Sequence, residues 1–224
     1  MAGRLGSSQL VDVARYVYGG LWFVCRRYQQ PAFFVFNNSK YAYFAHPYNR
    51  TWMNERAVEI PVIWEQVQSY SPDRVLEVGN VLSHYFTTQH WVVDKYERRP
   101  GVISGDIVEL TLPRTFDCIV SISTLEHIGW DETPRVPGKH LAAIAKLKQS
   151  LSRYGKIFAT VPLGYNPSFD RDLFNGKLGC SQEYYFKRLA KEVWCETTLD
   201  QVRASRYGSN YRTTDGLAIC MWQG

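Results

Sequence analysis

The sequence predicts an α/β domain, a mostly parallel sheet with helices on both faces. Three observations carry that prediction. From Asp73 onward, short apolar runs (Arg74 to Val78, Trp91 to Val93, Phe116 to Ile122, Lys156 to Val161) alternate with longer stretches of helical periodicity. The run Phe116 to Ile122 is continuous, as expected of a strand buried on both faces rather than one. Gly79, Asp94 and Ser123 to Glu126 each follow such a run, and open parallel sheets bind ligands beyond the carboxyl ends of their strands.

The elements can be justified in order. Residues 1–69 read as an N-terminal extension placed to cover whatever cofactor and substrate bind at the strand ends, and 70–224 as one compact domain. Leu10 to Cys25 is apolar in patches but interrupted by Asp12 and Arg15. It is too short and too broken to span a bilayer, so it reads as a helix against the domain, with a peripheral membrane contact as the alternative. Ala32 to Phe36 and Tyr41 to Ala45 read as hairpin strands separated by Asn37-Asn38-Ser39-Lys40. Their aromatics suit a buried layer or lid, or else a surface that stacks on sugar rings. Asn54 can cap a helix from Glu55 through Val67, continuing around Pro61. Gly138 to Tyr154 has one apolar face at helical spacing, with Gly155 as the stop. Residues 164–182 read as a polar loop suited to substrate recognition, Glu183 to Lys191 as helix, and Ala218 to Trp222 as a last strand.

Composition narrows the function classes. The 224 residues carry a net charge of +5 with no polybasic run, since Arg26-Arg27 and Arg98-Arg99 are only pairs. That argues against nucleic acid as an obligatory partner and tolerates an anionic small-molecule or lipid-linked substrate. Five cysteines without a C-x-x-C pair suggest neither zinc nor a redox dithiol. With no signal-like apolar region at the N-terminus, they point to a reducing, cytoplasmic setting and no stable membrane insertion. His84, His90, His127 and His140 lack metal-ligand spacing, so no metal is expected.

The chemistry-bearing residues cluster at the strand ends. Glu77 and Gly79 close the first strand of the series: the glycine lets backbone approach a ligand, and the carboxylate can organise the loop or hold a cationic amino group. Asp94 closes the second, where a carboxylate can accept from both hydroxyls of a ribose. Asp106 can accept from an adenine amino group while Ile107 packs on the ring; Asp117 reads as shaping its strand's entry.

The order VLEVG, VVDKYE, GDIVEL, FDCIVSISTLEHIG and GKIFATVP resembles the motif series of class I S-adenosylmethionine-dependent methyltransferases, in particular the methyltransferase-11 type, over about residues 73–163. The resemblance implies a Rossmann-like fold and S-adenosyl-L-methionine as cofactor. It implies Glu77 and Gly79 on the methionine side, Asp94 at the ribose and Asp106 with Ile107 at the adenine; Asn80, Lys95 and Ser123 are further candidates for cofactor binding. The chain departs from the family's glycine-rich loop, reading Glu77-Val78-Gly79-Asn80-Val81-Leu82-Ser83; only Gly79 survives, and Asn80 can adopt left-handed backbone angles at modest cost, which allows the turn. Val81 and Leu82 are expected to narrow the room for close backbone approach, with Ser83 or His84 supplying side-chain contacts instead.

Methyl transfer is mostly alignment, because the sulfonium is already activated. An alcohol acceptor also has to lose a proton. His127 is the candidate base, with Asp131 or Glu132 to orient it or contribute. Arg56 can fork onto the methionine carboxylate, or pair with Glu59 or Glu55. The expected activity is O-methylation of a sugar, glycan or other small hydroxylated molecule. The alternatives are a non-catalytic Rossmann module in a biosynthetic complex and a nicotinamide-dependent oxidoreductase, the latter weakened by the missing G-x-G-x-x-G.

Overall fold

The computed structural model describes residues 33–224, apart from residue 191 and residues 209–212. The expected helix at Leu10 to Cys25 lies outside the described residues. Residues 34–224 form one compact unit.

A hairpin, β1 (Phe33–Phe36) and β2 (Ser39–Ala42), precedes α1 (Arg56–Gln68). Then come β3 (Val75–Val78), β4 (Trp91–Asp94), β5 (Val102–Ser104), β6 (Phe116–Ile122), α2 (Lys139–Gln149) and β7 (Leu151–Pro162). The chain closes with α3 (Pro167–Phe174), β8 (Gln182–Ala190), β9 (Val193–Thr197), α4 (Leu199–Val202) and β10 (Gly216–Gln223). Eight strands make one sheet in the order β5-β4-β3-β6-β7-β10-β8-β9. The first five positions are parallel, and β10 inserts antiparallel between β7 and β8. This is the Rossmann-like α/β architecture, with an antiparallel wing and an N-terminal hairpin.

Alternation along the strands sorts the core into layers. Val75, Cys118, Val120, Ile122 and Phe158 meet Ile60, Ile63 and Val67 of α1 on one face. Leu76, Ile119, Ile157 and Ala159 meet Ala143, Ile144 and Leu147 of α2, with Phe169 and Leu173 of α3, on the other. Phe34 and Phe36 of the hairpin are buried against Phe186 and Trp194, as a core layer.

Pro61 lies inside α1, where it cannot donate to the carbonyl of Ala57. The Phe44 N–H takes that carbonyl at 2.9 Å, so the proline's missing bond anchors the segment after the hairpin. At the head of the helix, Asn54 Oδ1 accepts the Arg56 N–H at 3.0 Å.

Several sequence expectations differ from the structure. The hairpin turn is Asn37-Asn38, both at positive φ (46° and 64°), so β2 starts at Ser39 rather than Tyr41. A two-residue turn of this hand matches the twist of the paired strands. The helix expected to Tyr154 stops at Gln149, and Gly155 lies inside β7. A Cβ on Gly155 would come 2.7 Å from the Phe116 carbonyl, so this glycine serves strand contact rather than helix termination. The helix expected from Glu183 is β8, because pairing with β10 and β9 outweighs the local periodicity. The loop over 164–182 contains α3, started by Pro167 and capped by Asn166, whose side chain accepts the N–H groups of Ser168 and Phe169. Among the described residues no helix is long and apolar enough to cross a membrane.

Candidate functional site

The chain lays β4 and β5 to one side of β3, then crosses back to place β6 on the other. Such a reversal opens a crevice at the carboxyl ends of the two diverging strands, here β3 and β6. Gly79 leaves β3 at φ +86°, and Ser123 leaves β6 at φ +42°. The loops touch: a Cβ on Gly79 would lie 2.2 Å from Thr124 Oγ1, so only glycine fits. The left-handed residue of this turn is therefore Gly79, and Asn80 is not at positive φ.

Glu77 explains how the loop holds its shape without further glycines. Its side chain is fully buried; Oε1 accepts the N–H groups of Val81 and Leu82, both at 2.8 Å, and Oε2 meets His90 Nε2 at 2.8 Å. Of the two roles open to Glu77, this geometry is that of loop organiser. Leu82 is fully buried in the core beside the α1 layer, and Val81 packs against the same cluster rather than narrowing the crevice. Asn80 donates its backbone N–H to Asp94 and its side-chain amide to Glu97, and Ser83 donates to Asn80 Oδ1. His84 stacks on Tyr48.

The crevice is a cavity of about 280 Å³ lined by Gly79, Asp94, Lys95, Asp106, Ile107, Ser123, His127 and Asp131, with Tyr96, Thr124 and Glu132 among the others. Asp94 Oδ1 accepts the N–H groups of Tyr96 and Glu97 at 2.8 Å each, while Oδ2 has only the longer 3.3 Å contact from Asn80. A carboxylate fixed in this way keeps accepting capacity on Oδ2 for a hydroxyl. Asp106 is more heavily engaged. Oδ1 takes the Val108 N–H, and Oδ2 meets Lys95 at 2.9 Å and Lys139 at 2.5 Å; both lysines also bind Glu132. Burial alone would raise the Asp106 carboxyl, but Lys139 and Lys95 outweigh it and hold it at about 2. The floor is apolar, with Ile107 buried beside Val93 and Ile128.

On the opposite wall, His127 ends a 3-10 turn that follows β6. Its Nδ1 lies 2.6 Å from Asp131 Oδ2, and the Tyr165 hydroxyl donates to both Asp131 oxygens at 2.8 and 2.9 Å. The His127 and Tyr165 rings are 4.4 Å apart. A neutral imidazole donating from Nδ1 keeps its lone pair on Nε2, the arrangement of an oriented general base. Burial and the Asp131 contact push the Tyr165 phenol upward, so it stays a donor.

Behind His127 lies a set of buried acids. Glu126 is 1% exposed and neither carboxylate oxygen has a hydrogen-bond partner; His127 Nε2 lies 3.5 Å from Oε1. Burial, then the nearby Glu59, holds the Glu126 carboxyl well above the ordinary glutamate range. Glu59 is fully buried; it takes Arg56 Nη1 on Oε2 at 2.9 Å and Ser123 Oγ on Oε1 at 2.6 Å. Glu55 is pushed up to about 7 by burial and by Glu59.

Eight of the eleven sequence-derived site residues thus meet at one cavity, while Glu77, Asn80 and Arg56 do not line it. Glu77 and Asn80 shape its loop; Arg56 is held by Glu59. Sequence reasoning missed Lys139, whose ion pairs depend on a helix packing back onto the rim; it placed Glu126 at a strand end, but no local pattern reveals its burial. Tyr165 stood in the presumed polar loop with nothing to mark its partner. Among the described residues no cluster could hold a metal ion.

No protein-family model and no curated protein sequence matches the chain. Solved structures do. The N-methyltransferase NodS from Bradyrhizobium japonicum, in complex with S-adenosyl-L-homocysteine, is similar at 10% identity, over 76% of this chain and 87% of that one, with a TM-score of 0.48. A methyltransferase of Thermotoga maritima is similar at 14% identity, over 79% of this chain and 94% of that one (TM-score 0.45). The 1,6-didemethyltoxoflavin-N1-methyltransferase of Burkholderia thailandensis is similar at 12% identity, over 100% of this chain and 92% of that one (TM-score 0.43).

Proposed function

We propose that this chain is an S-adenosylmethionine-dependent methyltransferase acting on a hydroxyl of a sugar, glycan or other small hydroxylated molecule. The observation that supports it is one cavity at the sheet's switch point, with a nucleoside-type wall (Gly79, Asp94, Ile107) facing an oriented His127–Asp131 pair. The wall fits the adenosine part of the cofactor. Asp94 Oδ2 has capacity for a ribose hydroxyl, Ile107 offers an apolar face to adenine, and the missing Cβ of Gly79 leaves room where the loops approach. Asp106 has a single remaining lone pair for an adenine amino group, beside Lys95 and Lys139.

The cofactor supplies a methyl group on a positively charged sulfur, ready for attack. The protein supplies alignment and proton removal. His127 Nε2 accepts the acceptor's hydroxyl proton, while Asp131 and the Tyr165 hydroxyl fix the imidazole's tautomer and angle.

Calorimetry with S-adenosylhomocysteine tests the reading. Binding in the micromolar range is expected, and Asp94→Ala should weaken it by about ten- to a hundredfold, the loss of one to two charge-assisted hydrogen bonds. Absence of binding by both S-adenosylmethionine and its product at millimolar concentration would sink the proposal. Binding of NAD in their place would favour the oxidoreductase.

A further inference from the structure

We propose that Glu132, held by Lys95 and Lys139, places Asp131 against His127, which makes these three side chains positioning residues for the base. This rests on the methyl-transfer reading and adds to it how the base is held in place.

Four charged groups close a ring at the cavity rim. Lys95 follows β4, Asp106 follows β5, Glu132 lies between β6 and α2, and Lys139 opens α2. Lys95 Nζ is 2.9 Å from both Asp106 Oδ2 and Glu132 Oε1. Lys139 Nζ meets the same two oxygens at 2.5 and 2.8 Å, and Glu132 Oε2 at 2.9 Å. Each lysine therefore holds both acids. Burial opposes all four charges, yet their partners outweigh it: both lysines are raised and both carboxyls lowered. Largely buried charges keep such a geometry, because losing one member leaves another unpaired.

The ring reaches the base through the chain. Glu132 is the residue after Asp131, and the two acids are held by different partners. Asp131 takes His127 Nδ1 and the Tyr165 hydroxyl, whereas Glu132 takes the lysines and, at 3.3 Å, the Gly129 N–H. The rest of the loop bonds chiefly to itself: the Val136 N–H donates to the Gly129 carbonyl, and Arg135 Nε to the Trp130 carbonyl. The His127 and Asp131 side chains are 41% and 40% exposed, and a pair so open to water contributes little by itself. Its geometry has to come from anchors: Tyr165 directly and, one peptide unit away, Glu132.

The test reads the imidazole tautomer by nitrogen-15 NMR of the full chain with labelled histidine, at a pH where the ring is neutral. The His127 signals are identified by their loss in His127→Ala. The parent should show the Nδ1–H form that donation to Asp131 requires, and Asp131→Ala should lose it. Lys139→Met and Glu132→Ala should shift most of the His127 population to the Nε2–H form, and Lys139→Arg should keep the parent state. Melting temperature verifies folding. If a single variant does not fold, Lys139→Met combined with Glu132→Gln takes its place, since it leaves one lysine against one acid. A folded variant that keeps the parent tautomer would overturn the proposal and assign the tautomer to Glu126, 3.5 Å from Nε2. A parent ring without the Nδ1–H form would overturn it as well. Calorimetry with S-adenosylhomocysteine separates this inference from the reading it rests on. If the product binds and the tautomer is unmoved, only the positioning inference falls. If the tautomer responds and the product does not bind, the methyl-transfer reading falls and the ion ring stands.

Discussion

Glu77 and Glu126 stand at corresponding places, one at the end of β3 and the other just past β6, and both are almost fully buried. Their surroundings are opposite. Every accepting direction that Glu77 needs is met by two backbone N–H groups and His90. Glu126 has no hydrogen bond. A buried carboxylate with its donors in place adds rigidity, whereas one without them destabilises the fold unless it is protonated or a ligand arrives. The first acid therefore builds the loop after β3, and the second leaves the turn after β6 without that support. The same contrast separates the two turns: the β3 loop is closed by its own hydrogen bonds, and after β6 Glu126 has only His127 Nε2 at 3.5 Å and no hydrogen bond on either oxygen.

The largest effect should come from breaking the satisfied member. Glu77→Ala strands the Val81 and Leu82 N–H groups and His90, and should cost about 3–5 kcal/mol in urea unfolding. Glu126→Gln should change stability by less than about 1 kcal/mol at neutral pH, since no hydrogen bond is lost and a neutral, protonated acid is replaced by an amide of the same shape. Comparable losses in both variants would erase the distinction.

His127→Ala tests the turn after β6 directly. Turnover on a hydroxyl acceptor should fall by about 10²–10⁴-fold with product affinity within twofold of the parent. Asp131→Asn should fall less, because the imidazole remains and loses only its orientation. A drop in cofactor affinity equal to the drop in turnover would move His127 to the cofactor's side.

The most gradual effect is in the pH dependence of stability. Glu55 titrates at about 7 in the folded chain, through burial and then Glu59, against an ordinary value of 4.5. Between those values the folded protein holds a proton that the unfolded chain has released, so stability falls as pH rises through that window. The slope from one such group is at most about 1.4 kcal/mol per pH unit. Glu55→Gln should flatten the curve between about 4.5 and 7 in thermal melts, and an unchanged slope would place the titration elsewhere.

The legible parts of the fold were those with strong local patterns. β6 matches its predicted run residue for residue, because a strand buried on both faces is mostly apolar; of its two polar residues, Asp117 sits at the part-exposed entry and Ser121 donates to the Val78 carbonyl. The missed β8 has mixed burial and an alternation that local periodicity confuses with helix; only its pairing with β10 and β9 decides it. The helix overrun to Tyr154 has a similar cause, since Leu151 continues the apolar face of α2 but pairs with Phe116. At the site, Asp94 and Gly79 were legible because strand-end position alone gives them a role. Lys139 and Tyr165 were not, because their partners Asp106 and Asp131 lie more than thirty residues away in sequence.

The sequence by itself determined the strand–helix alternation, the crevice at the β3 and β6 ends, and the order of Gly79, Asp94, Asp106 and His127 around it. These follow from burial periodicity and from the fixed direction of parallel strands, both local properties. Only the tertiary structure decided which acids are satisfied. The role of a carboxylate depends on the donors that packing brings within 3 Å of it. That packing gave Glu77 a full set and left Glu126 without one.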